Sequence, residues 1–224
     1  PGSGYLPGEN LSVALMRGGY ITMAQAGAAM LVANQATGGL TKLGTGILTL
    51  GGTNTYGGDT VISNGTLRLG HAKALPTATE VVLAGGMLDL NGNTVTNTII
   101  GQGTVSNGTL YAVISPAGAN VVGTETLALK SVNIQGKYLA DVTEAGASDL
   151  LTFNGNVNLS GLSLELVDTQ GLVKGKIYTV AQINGTRTGS FTTSNLPDTR
   201  WHLYYSDDGS VKLVFVDGTI MFLR

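Results

Sequence analysis

Apolar and polar positions alternate along the first half of the chain in short runs that return on a regular beat. ILTLGG from Ile47 comes back as TLRLGH from Thr66, as MLDLNG from Met87 and, more loosely, as GTLYAV from Gly108. In ILTL and TLRL the leucines fall on one face of an extended chain, with Thr49 and Arg68 on the other. One side can pack while the other meets water. The central leucines Leu48, Leu67, Leu88 and Leu110 are 19, 21 and 22 residues apart. A period of about 20 is too short for a propeller blade and lacks the Leu/Asn pattern of a leucine-rich horseshoe, but it fits one coil of a parallel β-helix. Coils stack about 4.8 Å apart, which places Leu48, Leu67 and Leu88 over one another inside a tube. Each fully buried leucine then contributes about 1.5–3 kcal/mol.

Asn-Gly pairs at Asn64, Asn91, Asn107, Asn154 and Asn184 punctuate these runs. Both residue types accept positive φ at low cost, so the pairs read as coil corners or as two-residue hairpins. The spacing between coils favours corners in the first half. Upstream, LSVAL, YITMA and AMLVANQ between Leu11 and Gln35 read as three strands, because Gly18, Gly19 and Gly27 interrupt the helix that the alanines would otherwise allow. From about Ser131 the alternating segments lengthen: LLTFNGNVNLSGLSLELV, KIYTVAQI and WHLYYSDDGSVKLVFV. The last reads as a hairpin turning at Asp207, Asp208, Gly209 and Ser210. Phe191, Trp201, Tyr204, Tyr205 and Phe215 gather in this region. A stacked tube has an open end whose unpaired edge recruits other strands, and hairpins with aromatic cover suit that place.

Composition agrees with short strands and tight turns. Of 224 residues only 12% are charged and 34 are glycine, with Thr, Asn and Ser abundant. The net charge of −2 and the scattered Lys and Arg supply no stripe for nucleic acid. The chain has no cysteine, which removes disulfides and thiolate chemistry and suits a protein folding outside the cell without oxidative help. Ala24 to Ala33 is too short and too interrupted to span a bilayer, so no membrane span is expected. The N-terminal PGSGYLPGEN has none of the marks of a signal peptide, and a mature or excised chain is expected.

The stretch KLGTGILTLGGTNTYGGDTVISNGTLRLG, Lys42 to Gly70, resembles the autotransporter-associated β-strand repeat (passenger-associated transport repeat) of bacterial autotransporter passengers. The resemblance runs through Gly44, Gly46, Leu48, Leu50, Gly52, Asn54, Tyr56, Gly58, Gly65, Thr66 and Leu67. SDLLTFNGNVNLSGLSLEL from Ser148 and TGSFTTSNLPDTRWHLYY from Thr188 look like the segment that closes such passengers and helps them fold. The resemblance implies an all-β protein: a right-handed parallel β-helix, or solenoid, over residues 1–130, followed over 131–224 by a capping, autochaperone-like region with a C-terminal β-hairpin cap. It implies a place on the bacterial cell surface or in the medium. Autotransporters end in a membrane β-barrel, and VDGTIMFLR leaves no room for one, so a barrel is expected outside this segment or the export route differs. The apolar tail Val214 to Leu223 reads as a last strand or a sorting remnant.

Candidate chemistry is sparse. His71 and His202 are the two histidines; neither has a carboxylate or serine nearby in a recognisable motif, and both read as corner or surface residues. Asp141, Glu144 and Asp149 in DVTEAGASD are candidate Ca²⁺ ligands, although their spacing is not that of an EF-hand. The plainer reading makes them solvated turn acids, with Asp149 bonding its own backbone before Leu150. Asp59, Glu80 and Asp89, with Arg68 between them, are candidates for polysaccharide cleavage on an outer face. Tyr56 and Tyr111 are candidate platforms for sugar rings, with packing against the next coil as the alternative. The Gly-rich runs at Gly44 and Gly57 lack the Lys-Ser/Thr and the helix that would hold phosphate. The sequons at Asn10 and Asn64 are what Asn/Gly/Thr-rich turns produce. The expectation is a non-enzymatic stalk without cofactor or metal, whose structural motif comprises Gly44, Gly46, Leu48, Leu50, Asn54, Tyr56, Gly58, Gly65, Leu67 and Trp201. Its expected partners are other parts of its parent chain and, as an adhesin, a surface glycan or host protein.

Overall fold

The computed structural model describes residues 38–118 and 123–217. The strands expected between Leu11 and Gln35, and the end of the tail expected over 214–223, lie outside the described residues. Within them the chain forms β1 (Leu40–Lys42), β2 (Ile47–Leu50), β3 (Thr60–Ile62), β4 (Thr66–Leu69), β5 (Val81–Asp89), β6 (Thr94–Val95), β7 (Ile99–Ser115) and β8 (Thr126–Ala140). There follow β9 (Leu150–Asn154), β10 (Val157–Asn158), β11 (Leu162–Leu166), β12 (Ile177–Ile183), β13 (Arg187–Thr188), β14 (Thr192–Thr193), β15 (Trp201–Tyr205) and β16 (Ser210–Phe215). Pairing is parallel from β1 through β12, each strand lying against its counterpart one coil away. No helix occurs among the described residues, and the fold is an all-β parallel solenoid.

The register carries the core. Leu48 pairs with Leu67, Leu67 with Leu88, Leu88 with Val105, Val105 with Leu129, Leu129 with Phe153 and Phe153 with Ile183. From Leu67 onward every member of this column is buried. The fourth member is Val105, not Leu110 as the phrase GTLYAV suggested. Leu110 stands in a second column, between Val95 and Ile134, because β7 bends from one face to the next within its own length. A third column runs Ile114, Tyr138, Leu164. Coils about 4.8 Å apart put each apolar side chain against like neighbours above and below, and the alternation along each strand decides which residues join.

Corners are where this spacing is hardest to satisfy. Asn91, Asn107 and Ser131 adopt φ of 48°, 59° and 55°, and Gly65 adopts 66°. A Cβ on Gly65 would lie 2.5 Å from the carbonyl oxygens of both Gly44 and Gly46, so that corner admits only glycine. The Asn-Gly pairs at Asn64, Asn91, Asn107 and Asn154 each place at least one residue at positive φ, and the strands flanking them pair in parallel with neighbouring coils instead of with each other, which makes them corners and not hairpins.

Parallel pairing continues past residue 131, and antiparallel pairing in the main sheet begins with β16. The main path ends β9-β12-β16-β15, so the C-terminal hairpin lies along the free side of β12. Its turn falls at Ser206 to Gly209, with Ser210 already in β16. Trp201 is buried and meets the Phe215 ring edge-on at 5.3 Å and Tyr178 at 6.2 Å.

A buried carboxylate ties coils together near the middle of the stack. Asp149 is fully buried and accepts backbone N–H bonds from Glu125 at 2.7 Å, Asp141 at 3.2 Å and Ala117 at 3.4 Å. The expectation of a solvated turn acid is therefore corrected: the 141–149 turn folds Asp149 inward, where it bonds to Asp141 at the start of that turn and to the more distant Ala117 and Glu125. Glu144 stays exposed, and Asp141 is buried with its Oδ2 unpartnered. Burial, reinforced by the charges of Asp149 and Asp168, pushes the Asp141 carboxyl up to about 6. Burial also raises Asp149, against the three N–H bonds that favour its charge.

A carboxyl that holds its proton more tightly folded than unfolded costs nothing below its unfolded value of about 4. The cost grows as pH rises through the folded value and is constant above it. Asp141→Asn is therefore expected to stabilise the protein in urea unfolding by about 1 kcal/mol near pH 8, with the gain vanishing near pH 3.5. Asp149→Ala is expected to cost about 2–4 kcal/mol at both, because three N–H groups lose their acceptor. Equal stability of Asp141→Asn and the parent at both pH values contradicts this account.

Candidate functional site

The residues of the sequence motif come together as one coil and its contacts with the next. Gly44, at φ 75°, and Gly46 open the strand that carries Leu48 and Leu50. The Asn-Thr-Tyr corner follows. Asn54 donates its backbone N–H to Lys73 O at 3.3 Å and its amide to Ala74 O at 2.8 Å, so this corner is bonded to the coil above. Gly58 donates to Gly38 O at 3.1 Å. Gly65 and Leu67 complete the motif, Leu67 wholly inside.

Tyr56 is not a sugar platform. It is 7% exposed, and its hydroxyl lies 2.6 Å from Thr60 Oγ1, with burial raising the phenol and the Thr60 bond opposing that rise. Its ring fills the corner instead of facing solvent. Tyr111 is 50% exposed on β7, in register with Gln135, and offers a ring to water. The two tyrosines thus make no common surface.

The candidate glycan-cleaving residues separate into structural pairs. Arg68 Nε donates to Asp89 Oδ2 at 2.8 Å across adjacent coils, where the ladder sets them directly opposite. Asp89 also accepts from the Asn91 backbone and the Asn107 amide. Burial would raise its carboxyl, but the bonds from Arg68, Asn107 and Asn91 and the Arg68 charge together hold it below the usual range. Asp59 accepts the Glu80 backbone N–H at 3.0 Å at the start of β5, whereas Asp89 ends that strand beyond the Gly85 corner. An open hollow of about 340 Å³ is lined by Thr124, Glu125, Ser148, Ile177 and Thr179 and their neighbours, and none of Asp59, Glu80 or Asp89 borders it.

His71 is exposed and its Nδ1 accepts the Lys73 N–H at 3.0 Å; His202 is exposed on β15. Among the described residues no three His, Cys, Asp or Glu side chains are grouped to hold a metal ion, and Asp141 and Asp149 meet without Glu144. No helix among them is long and apolar enough to cross a membrane.

Sequence reasoning missed two polar residues that hold corners. Lys42 is 5% exposed, and its ammonium donates to the carbonyls of Leu43, Gly44 and Asn64 at 2.9, 2.7 and 3.0 Å. Its place in the alternation, two residues after Leu40 and in register with Ile62, marks it as inward-facing. Asn97 is buried and donates to Pro76 O and Thr79 O at 2.7 Å each; nothing in its local sequence signals this.

No curated protein matches the chain. The family model of the passenger-associated-transport-repeat matches residues 40–69, which run from β1 through β4 and contain the Asn-Thr-Tyr corner, the Gly65 corner and the first two leucines of the column. The coil over residues 40–69 is thus a passenger-associated-transport-repeat, the repeat of autotransporter passenger regions.

Proposed function

We propose that this segment is a structural, non-enzymatic stalk in the passenger of an autotransporter-like protein, carried outside the bacterial cell on its surface or released from it. The observation that carries this reading is the column from Leu48 to Ile183, which passes from the repeat into the C-terminal half without interruption. Such a column transmits rigidity along the stack, since each coil is held by its neighbours. The polar residues that could have done chemistry support the same reading. Asp89 is engaged by Arg68, Asp59 by the Glu80 backbone and Asp149 by three N–H groups. The half-exposed ring of Tyr111 favours weak adhesion to a glycan or host protein as a second reading.

The C-terminal hairpin is proposed to end the stack and to help it fold. A parallel solenoid forms from non-local contacts and leaves edges open while it does so, which makes folding slow and aggregation-prone. The hairpin β15–β16 is local in sequence, closes on itself and brings Trp201, itself packed on Phe215, against Tyr178 in β12. It therefore offers a surface on which β12 can order.

Two outcomes are expected. A chain ending at Arg200 should refold from urea about tenfold more slowly than the parent, or aggregate, because β12 loses its antiparallel neighbour; unchanged refolding refutes the capping role. On intact cells of the producing bacterium, a membrane-impermeant amine reagent should label the protein at exposed lysines such as Lys130, on the surface or in the medium. Labelling only after lysis refutes the extracellular reading.

A further inference from the structure

The five Asn-Gly corners are chemically alike in sequence and unlike in structure. All five asparagines are exposed, so solvent access does not separate them. Their hydrogen bonds do. Asn91 donates its amide to Leu69 O, Asn107 donates to Asp89 Oδ1 and Ser106 Oγ, and Asn184 donates to Asn154 Oδ1, so the Asn154 carboxamide oxygen is held by the next coil. Gly92, after Asn91, also has its backbone N–H committed to Asn107 O at 2.7 Å. At Asn64 the side-chain amide nitrogen has no partner among the described residues, and the Gly65 N–H donates to Asn64 Oδ1 at 2.7 Å. The Gly65 nitrogen thus sits beside the Asn64 carboxamide, with Cγ only one carbon–oxygen bond from the atom it already touches.

A second feature acts on the same peptide bond. The Lys42 ammonium donates to Asn64 O at 3.0 Å, and that oxygen belongs to the amide whose nitrogen is Gly65 N. A cation on the carbonyl draws electron density from the amide and makes its N–H easier to deprotonate, as oxyanion-stabilising donors do elsewhere. Nucleophile, electrophile and polarising charge meet at this one corner.

From this arrangement we infer that Asn64 is a site of spontaneous deamidation and isoaspartate formation in the folded protein, promoted by Lys42. The Gly65 nitrogen gives its proton to water or hydroxide and bonds to Asn64 Cγ. The Cγ–Nδ2 bond breaks, and ammonia leaves after taking up a proton. The resulting succinimide is opened by water at either carbonyl, giving aspartate or isoaspartate. One water enters, one ammonia departs, and nothing is oxidised or reduced. Isoaspartate lengthens the main chain by one methylene at a corner where even a Cβ on Gly65 would strike the Gly44 and Gly46 carbonyls. The transport repeat would consequently loosen as the protein ages, beginning at the joint between β3 and β4.

Trypsin separates the corners, since cleavage after Lys42 and Arg68 leaves Asn64 as the Asn-Gly pair of peptide 43–68. Asn91 and Asn107 fall together in 74–130, Asn154 in 138–174 and Asn184 in 177–187. After incubation of the folded protein in warm, mildly alkaline buffer, mass spectrometry and enzymatic isoaspartate methylation should find 43–68 modified about five- to tenfold faster than the other three. In urea the four peptides should react at comparable rates. Lys42→Met, in which the loss of the cleavage site after residue 42 places Asn64 in peptide 18–68, should slow the modification of that peptide in the folded chain and leave its rate in urea unchanged, with thermal melting confirming that the variant is folded. If Lys42→Met does not fold, Asn64→Gln, which removes the reactive pair, should abolish the fast phase of the parent. Folded peptide 43–68 reacting no faster than the others overturns the site, and an unchanged folded rate in Lys42→Met overturns the role of the ammonium.

Discussion

Parallel backbone pairing between successive coils is the constraint from which the rest of the structure follows. It fixes the rise per coil at about 4.8 Å and leaves each strand residue directly over its counterpart. An inward leucine must then meet another apolar residue above and below, as Leu67 meets Leu48 and Leu88. An outward residue meets another outward residue, as Arg68 meets Asp89 and Lys137 meets Glu165. The corners have no freedom to swing apart, which is why Gly65 lies against two carbonyls of the coil before it. Glycine, threonine and leucine dominate because the geometry asks for small, branched and aliphatic groups at those three kinds of place.

The same constraint explains where the charges went. A stack of open corners exposes many carbonyls and N–H groups to an interior that cannot hydrate them, and buried polar groups need partners. Lys42 supplies three donors to one such corner, and Asp149 accepts from three backbone segments at another. Each charge does for the corner what a capping side chain does for a helix end. Both ionisable groups thus join segments of backbone together.

Leu48, Leu67 and Leu88 were legible in the sequence because each follows its corner glycine at a similar offset, so the stacking period could be counted. The next step was misread. Gly103-Thr104-Val105 and Gly108-Thr109-Leu110 both carry the Gly-Thr-apolar lead, and the stronger leucine drew the count to the wrong face while Val105 held the column. The C-terminal hairpin was legible from its alternation and acidic-glycine turn. Tyr56 was left open between a platform and packing, and the Thr60 hydroxyl decides for packing. Asp149 and Asn97 were not legible as buried, because what holds them is backbone from other coils, and a local window contains no trace of it.

Cysteine cross-linking tests the stacked register most directly, since the protein has no cysteine of its own. Lys130 and Asn154 are exposed and paired across adjacent coils, while Phe153, one residue away, points inside. Parallel neighbours at about 4.8 Å fall within the Cα separation that a disulfide spans. Lys130→Cys with Asn154→Cys should oxidise readily to an intramolecular disulfide, and Lys130→Cys with Phe153→Cys should not. Equal cross-linking of the two pairs, or none in the first, would contradict the coil-on-coil register.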